Sequence, residues 1–446
     1  MLRKLKERMN NIYIDNSVPL DNIEKRIIYM VKQRVTKEDF SAFIKLKRLK
    51  KQRKKSDGKI CVVFLLQMPE VWEKQKSIYF EMRKHERIRP LILAIPQYDI
   101  QTEMWDKSDN EAYRFAKQEG LSEIVRADIN GSLIDLKTLE PDYVFYQRPY
   151  EAYLPEIYRS KNVLNYARTC YVPYAVFATL AGEMVMEYER GFARNIYMNF
   201  VANDEIEHLL KKKFFLTYRF HMRKIKYLGI PILENILKSQ LPQNQNKNWK
   251  EWGHTENKLK IMWTPRWTTD TKLGGSHFFD YYKQINWFAQ NNKDFFILFR
   301  PHPMAFANYI KQGLMTEAEV KSLQEQYEIS PNLAMDNKKE YVDTFWGSDV
   351  LITDISSMLL EYFITGKPII FCGTNMKLNS MFKQVVDSTY QCNTWEEIEI
   401  VLKRLQNGAD VLQEKRKNTI KKLFGRLETT SEQIVQEIVL DYLQCN

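Results

Sequence analysis

The stretch DVLITDISSMLLEYFITGKPIIFC, residues 349–372, reads as a complete βαβ unit. Val350, Leu351 and Ile352 are apolar and largely β-branched, as in a strand buried on both faces. Thr353, Asp354, Ser356 and Ser357 then crowd hydroxyl and carboxylate side chains into one corner. Met358 to Thr365 have helical character, Gly366 and Pro368 stop the helix, and Pro-Ile-Ile-Phe-Cys makes a second buried strand. Two parallel strands joined by a helix imply an open α/β sheet, in which ligands bind beyond the carboxyl ends of the strands. Ser356 and Ser357 suit N-capping of that helix, and they equally suit bonding an anion at its start.

Working outward, the strand Lys260–Trp263 runs into Thr264-Pro265-Arg266-Trp267-Thr268. A helix over 278–291 leads to the strand Phe295–Phe299, which ends in Arg300-Pro301-His302-Pro303. A long helix pair over 395–445 closes the chain. Three strand ends thus carry Thr264, Arg266 and Thr268; Arg300 and His302; and Thr353, Asp354, Ser356 and Ser357. In a parallel sheet these ends share one edge. Arginines give bidentate charge-assisted bonds, hydroxyls add neutral donors, and a histidine supplies a proton donor or a charge clamp, which together suit a pyrophosphate. Pro301 and Pro303 fence His302, marking it as a ligand or catalytic group rather than a core histidine. Glu361, one turn beyond Ser357, is the sole acid in its helix and reads as an exposed residue or as an acceptor for nucleotide or glycerol hydroxyls.

The first half repeats the α/β pattern. Ile60–Leu66 is a buried strand, a helix spans about 71–85, and Pro90–Ile95 and Tyr143–Tyr146 are further strands. Residues 162–177 are expected to end this sheet, with the turn YVPYAVF at 171–177. Residues 204–240 look helical and basic, and 241–258, rich in Gln, Asn and Lys, read as a linker. The expected organisation is a basic helical arm over 1–56, a first α/β domain over 57–240, the linker, and a second α/β domain over 259–446.

The 446 residues suffice for two cores, and a net charge of +11 favours an anionic partner. Eight of the eleven residues from Lys45 to Lys55 are Lys or Arg, which reads as a solvated arm or as a contact with anionic lipid. Neither a G-x-G-x-x-G fingerprint nor a Walker loop occurs. The five cysteines form no C-x-x-C pair, so neither zinc nor a disulfide framework is indicated, and Cys61 and Cys372 read as buried thiols. No apolar run approaches the ~18 residues of a membrane span, so a cytoplasmic protein is expected.

The motifs RPHP at 300–303 and DVLITDISSMLLEYFITGKPIIF at 349–371 resemble those of the CDP-glycerol glycerophosphotransferase family, which includes teichoic-acid and some capsule polymerases. Ile355 stands where the family has Tyr, Glu361 where it has Asp, and Pro265-Arg266-Trp267-Thr268 where it has Pro-Thr-Trp-Arg. The resemblance implies a glycosyltransferase-B architecture, two Rossmann-like domains facing a central cleft, with the donor held by the second. It implies an enzyme without metal or cofactor, peripheral on the inner face of the cytoplasmic membrane. It would move glycerol or ribitol phosphate from a CDP-activated donor to a glycan or lipid-linked acceptor. His302 would assist the leaving group, and Thr353, Asp354, Ser356 and Ser357 would hold the phosphates. The family's His-Gly-Thr-Pro motif is absent from the first half; CYVPYAVF stands there, which makes Tyr171 and Tyr174 the acceptor-side candidates and leaves the general base unassigned. The alternative is a B-fold glycosyltransferase with a nucleotide-sugar donor; the absence of D-x-D argues against a metal-dependent A-fold enzyme. A nucleic-acid or surface-binding protein is disfavoured because no nucleic-acid motif occurs.

Overall fold

The computed structural model describes residues 37–444, except 52–57, 189, 241–248, 250, 254, 272–273 and 339–340. Most of the expected arm and linker therefore lies outside the described residues. Of the arm, the helix Lys37–Lys51 is described.

Two separate parallel sheets carry the chain. The first contains β1 (Ile60–Leu66), β2 (Ile88–Ala94), β3 (Ile124–Arg126), β4 (Tyr143–Tyr146), β5 (Arg168–Tyr171), β6 (Met198–Phe200) and β7 (Lys224–Lys226). Their order is β7-β6-β5-β4-β1-β2-β3. The second contains β8 (Leu259–Thr264), β9 (Phe295–Phe299), β10 (Leu333–Met335), β11 (Val350–Thr353), β12 (Ile369–Phe371) and β13 (Tyr390–Gln391), in the order β10-β9-β8-β11-β12-β13. In each sheet the chain steps outward on one side of its first strand and then returns to the other side. This places a topological switch point between β1 and β4 in the first sheet and between β8 and β11 in the second.

The strands are apolar because helices cover both faces. Every residue of β1 and β9 is buried. Cys61, Cys170, Cys372 and Cys392 are buried free thiols in these layers.

Three sequence expectations need correction. Residues 162–177 do not end the first sheet, because β6 and β7 add beyond β5. The segment 204–240 is not wholly helical, since β7 lies within it. The terminal helix pair is three helices, Trp395–Gln406, Gln413–Phe424 and Thr430–Gln444. The last of these leaves the second sheet and packs on the first, where Ile434, Val435 and Ile438 join the core around Phe64 and Phe145. Its buried Asp441 accepts hydrogen bonds from the hydroxyls of Tyr143 (2.7 Å) and Tyr197 (2.6 Å) and pairs with Arg168 at 3.6 Å.

The two sheets also meet through a buried ion pair. Lys74, in the short helix after β1, lies 2.7 Å from Glu361 in the helix Ser357–Phe363, with side chains only 14% and 4% exposed. The Tyr341 hydroxyl donates to the other Glu361 oxygen. Removing one member strands the other charge, so Lys74→Met is expected to cost about 3–5 kcal/mol of stability. The double variant Lys74→Met/Glu361→Met is expected to recover much of it. Urea unfolding checks this: wild-type stability in the single variant would show that the pair holds nothing together.

Candidate active site

β9, β8 and β11 are neighbours, so the three polar strand ends do share one edge. Asp354 ties them together. Its carboxylate, 1% exposed, accepts the backbone N–H of Arg266 at 2.7 Å and that of His277 at 3.2 Å. It also pairs with His277 Nδ1 at 2.6 Å. That hydrogen bond raises the His277 imidazole above its ordinary value, so Nδ1–H donates to Asp354. The ring stacks on Tyr281, with centroids 5.7 Å apart, at the start of the helix Phe278–Asn291.

The loop between β8 and this helix folds tightly onto the corner. Gly274 has φ +101°, and a Cβ there would come within 2.7 Å of Ile355 Cγ2 and 2.8 Å of Met376 Sδ. Only glycine fits this conformation and this approach. Arg266 lies beneath, its guanidinium donating to the Ile355 carbonyl. Burial lowers its pKa and the Asp354 charge opposes that shift.

Ser356 is the N-cap residue of the helix Ser357–Phe363, yet its side chain makes no capping bond. Its Oγ is buried without a hydrogen-bond partner among the described residues. A buried hydroxyl with no partner within the protein remains available to donate to a bound acceptor. Ser357 is half-buried at the same corner.

Other expected donor contacts are spent within the protein. The Thr264 hydroxyl donates to Thr353 Oγ1 at 2.8 Å, and Thr353 donates to the Thr264 carbonyl, so this buried pair fastens β8 to β11. Thr268 is buried and accepts the Asp270 N–H. Arg300 donates to Asp336 at 2.5 Å and to the Lys338 carbonyl at 2.7 Å, with its guanidinium 5.4 Å from the Tyr341 ring centroid. Glu361 is held by Lys74 and Tyr341, away from the Asp354 corner.

His302 is exposed, its ring tilted against Trp267 with centroids 6.0 Å apart. The Met304 N–H donates to Nδ1 at 3.2 Å, which leaves the proton of the neutral ring on Nε2. Partial desolvation, then the nearby Arg266 charge, hold the imidazole below its ordinary value. At neutral pH this histidine is a hydrogen-bond donor through Nε2 rather than a cation.

Across the cleft, Tyr171 and Tyr174 differ. Tyr171 is fully buried, and its hydroxyl donates to Glu187. Glu187 also accepts the Ala175 N–H at 2.7 Å, and the Tyr174 N–H donates to the Tyr171 oxygen at 3.0 Å. Burial pushes the Glu187 carboxyl up to about 7, against the opposing effect of these hydrogen bonds. Tyr171 therefore clamps the turn, and Tyr174 is the half-buried member. The turn also reaches the second sheet, where Asn379 donates from its backbone to Ala178 and from its side chain to Phe177.

Sequence reasoning missed His277, Glu187, Asp336 and Lys74. Only His277 carried a signal, in the Gly274-Gly275-Ser276-His277 run before an aromatic-rich helix. Among the described residues, no group of three or more His, Cys, Asp or Glu side chains could hold a metal ion.

Residues 189–424, just over half of the chain, match the family model for CDP-glycerol:poly(glycerophosphate) glycerophosphotransferase. No curated protein matches. Among solved structures, a putative UDP-N-acetylglucosamine 2-epimerase from Listeria monocytogenes superposes with a TM-score of 0.57 at 10% identity, covering 85% of this chain and 96% of that one. The UDP-GlcNAc 2-epimerase of Neisseria meningitidis, bound to UDP-GlcNAc, gives 0.56 at 12% identity over 86% and 100%. The wall teichoic acid polymerase TagF gives 0.48 at 15% identity over 95% and 99%. At such identities the two epimerases show the fold alone, a glycosyltransferase-B-like pair of parallel α/β sheets.

Proposed function

The chain belongs to the CDP-glycerol:poly(glycerophosphate) glycerophosphotransferase family, and from that premise we propose how its residues divide the work of moving a polyol phosphate from a CDP-activated donor to an acceptor hydroxyl. The observation that carries this assignment is the Asp354 corner, where Arg266, His277 and the unpartnered Ser356 hydroxyl converge at the switch point of the second sheet, with His302 near enough to be affected by the Arg266 charge. The donor pyrophosphate lies in this corner. Ser356 and Ser357 donate hydroxyl hydrogen bonds to it, and Arg266 offsets its charge.

The acceptor hydroxyl oxygen attacks the β-phosphorus in line, and its proton is released to water. A new P–O bond forms to the acceptor, the anhydride P–O bond breaks, and CMP leaves with the bonding pair. His302 Nε2–H donates to the oxygen on which that charge develops, so its effect is largest in the transition state. Asp354 touches no substrate. It positions Arg266 and His277.

Donor identity is tested by thermal shift with CDP-glycerol, CDP-ribitol and UDP-GlcNAc. Stabilisation by a CDP-polyol is expected. Stabilisation by the UDP-sugar alone would replace this assignment with a sugar transfer.

The acceptor is a cell-surface glycan or lipid-linked chain, and the protein works from the cytoplasmic side of a membrane. Among the described residues no helix is long and apolar enough to cross it. A peripheral contact is supported by one face. Phe40 and Ile44 are exposed on the helix Lys37–Lys51, and Phe43 meets Phe220 edge-on at 6.4 Å. Phe215 and Phe220 are exposed beside Lys212 and Arg219. Apolar side chains ringed by basic ones suit an anionic lipid surface. Phe215→Glu/Phe220→Glu is expected to lose co-sedimentation with phosphatidylglycerol vesicles; unchanged binding would remove this face from the account.

A further inference from the structure

We propose that the carboxyl edge of the first sheet holds a phosphate-binding acceptor subsite, in which Arg148 grips a phosphate of the acceptor between Tyr150, Tyr153 and Tyr174. The proposal rests on the polyol-phosphate transfer above and adds the residues that would take the acceptor side of it.

Topology supplies the place. Arg148 follows β4, and Gln67 follows β1, so both stand at the switch point of the first sheet. An open parallel sheet has its ligand crevice there. Segments next to this edge touch the second half of the chain at two places. Lys74 comes shortly after Gln67 and pairs with Glu361, on the helix that starts at Ser357. The turn bearing Tyr174 runs on to the contacts of Phe177 and Ala178 with Asn379.

The surroundings of Arg148 are built rather than incidental. Gln147, 5% exposed, accepts the N–H groups of Gln67 and Met68 at 2.8 and 3.0 Å and returns its amide N–H to the Met68 carbonyl at 3.0 Å. Gln67 donates to the Tyr153 carbonyl at 2.8 Å and accepts from Arg148 Nη2 at 2.9 Å. Two buried amides thus aim one guanidinium. Among the described residues Gln67 is its hydrogen-bond acceptor, which engages one of five N–H donors.

The walls are aromatic. The Arg148 guanidinium lies 4.8 Å from the Tyr153 ring centroid, and Tyr150 and Tyr174 meet edge-on with centroids 5.8 Å apart. Burial pushes Tyr150 up to about 12, and burial followed by the Glu187 charge raises Tyr174. Both hydroxyls therefore stay protonated at neutral pH and donate to an anion. Glu70 is exposed, and its charge acts on both Arg148 and Tyr174. Burial lowers the Arg148 pKa, but an arginine remains charged. A planar cation fork with neutral hydroxyl donors and low-polarity walls matches two oxygens of a phosphate group.

The test titrates sn-glycerol 3-phosphate calorimetrically into protein saturated with CDP, which occupies the donor corner. The wild type is expected to bind this second anion. Arg148→Ala is expected to weaken it about 10- to 100-fold, and Arg148→Lys, which keeps charge without the fork, by less. CDP affinity is expected to be the same in all three, which also shows that the variants are folded. Equal glycerol 3-phosphate affinity in Arg148→Lys, Arg148→Ala and wild type would overturn the subsite, as would no second binding event in the CDP-saturated wild type. Failure of the wild type to bind CDP at all would instead overturn the donor-site account.

Discussion

His302→Ala is expected to lower CMP release from CDP-glycerol by about a hundred- to a thousand-fold, the usual cost of one donor aimed at charge that develops in the transition state. The size follows from geometry. The Met304 N–H fixes Nδ1 as an acceptor, so the neutral ring presents Nε2–H. Desolvation and Arg266 keep the imidazole below its ordinary value, so the neutral form prevails at pH 7. Lowering the pH through that pKa charges the ring, which keeps the Nε2–H donor. The acid limb of the pH–rate profile is therefore expected to be shallow with respect to this residue. Donor affinity is expected to change little in the variant, because the bond is weak before the anhydride begins to break. The thermal shift with CDP-glycerol measures that part. Near-wild-type CMP release would remove His302 from the chemistry. A lost thermal shift with proportionate loss of rate would make it a binding residue.

Asp354→Ala is expected to damage both fold and function. The carboxylate serves two backbone N–H groups and one imidazole N–H. An unsatisfied buried donor costs about 1–3 kcal/mol, so removing the shared acceptor is expected to cost several kcal/mol. The effect reaches the site because the same bonds hold Arg266 and the loop closed by Gly274, which packs on Ile355. Loss of the CDP-glycerol thermal shift is therefore expected along with a fall in Tm. Asp354→Asn keeps the volume but loses charge and places N–H donors beside those it replaces an acceptor for, so an intermediate result is expected. An alanine variant that melts like the wild type and still binds donor would show that the corner is held by other means.

Much of this corner was legible in the sequence, for a physical reason. A strand buried on both faces must be apolar, so β1, β9 and β11 stand out, and the polar residues that follow mark their ends. Neighbouring strands then bring those ends together. What stayed hidden was the pairing across the chain. Asp354 finds His277, and Thr353 spends its hydroxyl on Thr264, because β8 and β11 lie side by side. Glu361, read as a substrate contact, meets Lys74 from the other sheet. No local pattern encodes such partners. The strands that escaped notice, β3, β6, β7, β10 and β13, span only two or three residues, too few for a period to register. The last helix looked continuous with the second half, but its apolar face is used by the first core. Tyr171 and Tyr174 were equivalent in the sequence; only the buried bond to Glu187 separates the fully buried clamp from its half-buried neighbour.

The central claim is that this chain breaks a CDP-polyol anhydride at the Asp354 corner and passes the polyol phosphate to an acceptor. The most direct measurement incubates purified protein with CDP-glycerol labelled in the glycerol and a glycerol-phosphate-primed lipid acceptor, and follows CMP and label together. The account predicts one CMP released for each labelled glycerol phosphate joined to the acceptor, with both lost in His302→Ala. Transfer from a UDP-sugar with no CMP release from CDP-glycerol would contradict it.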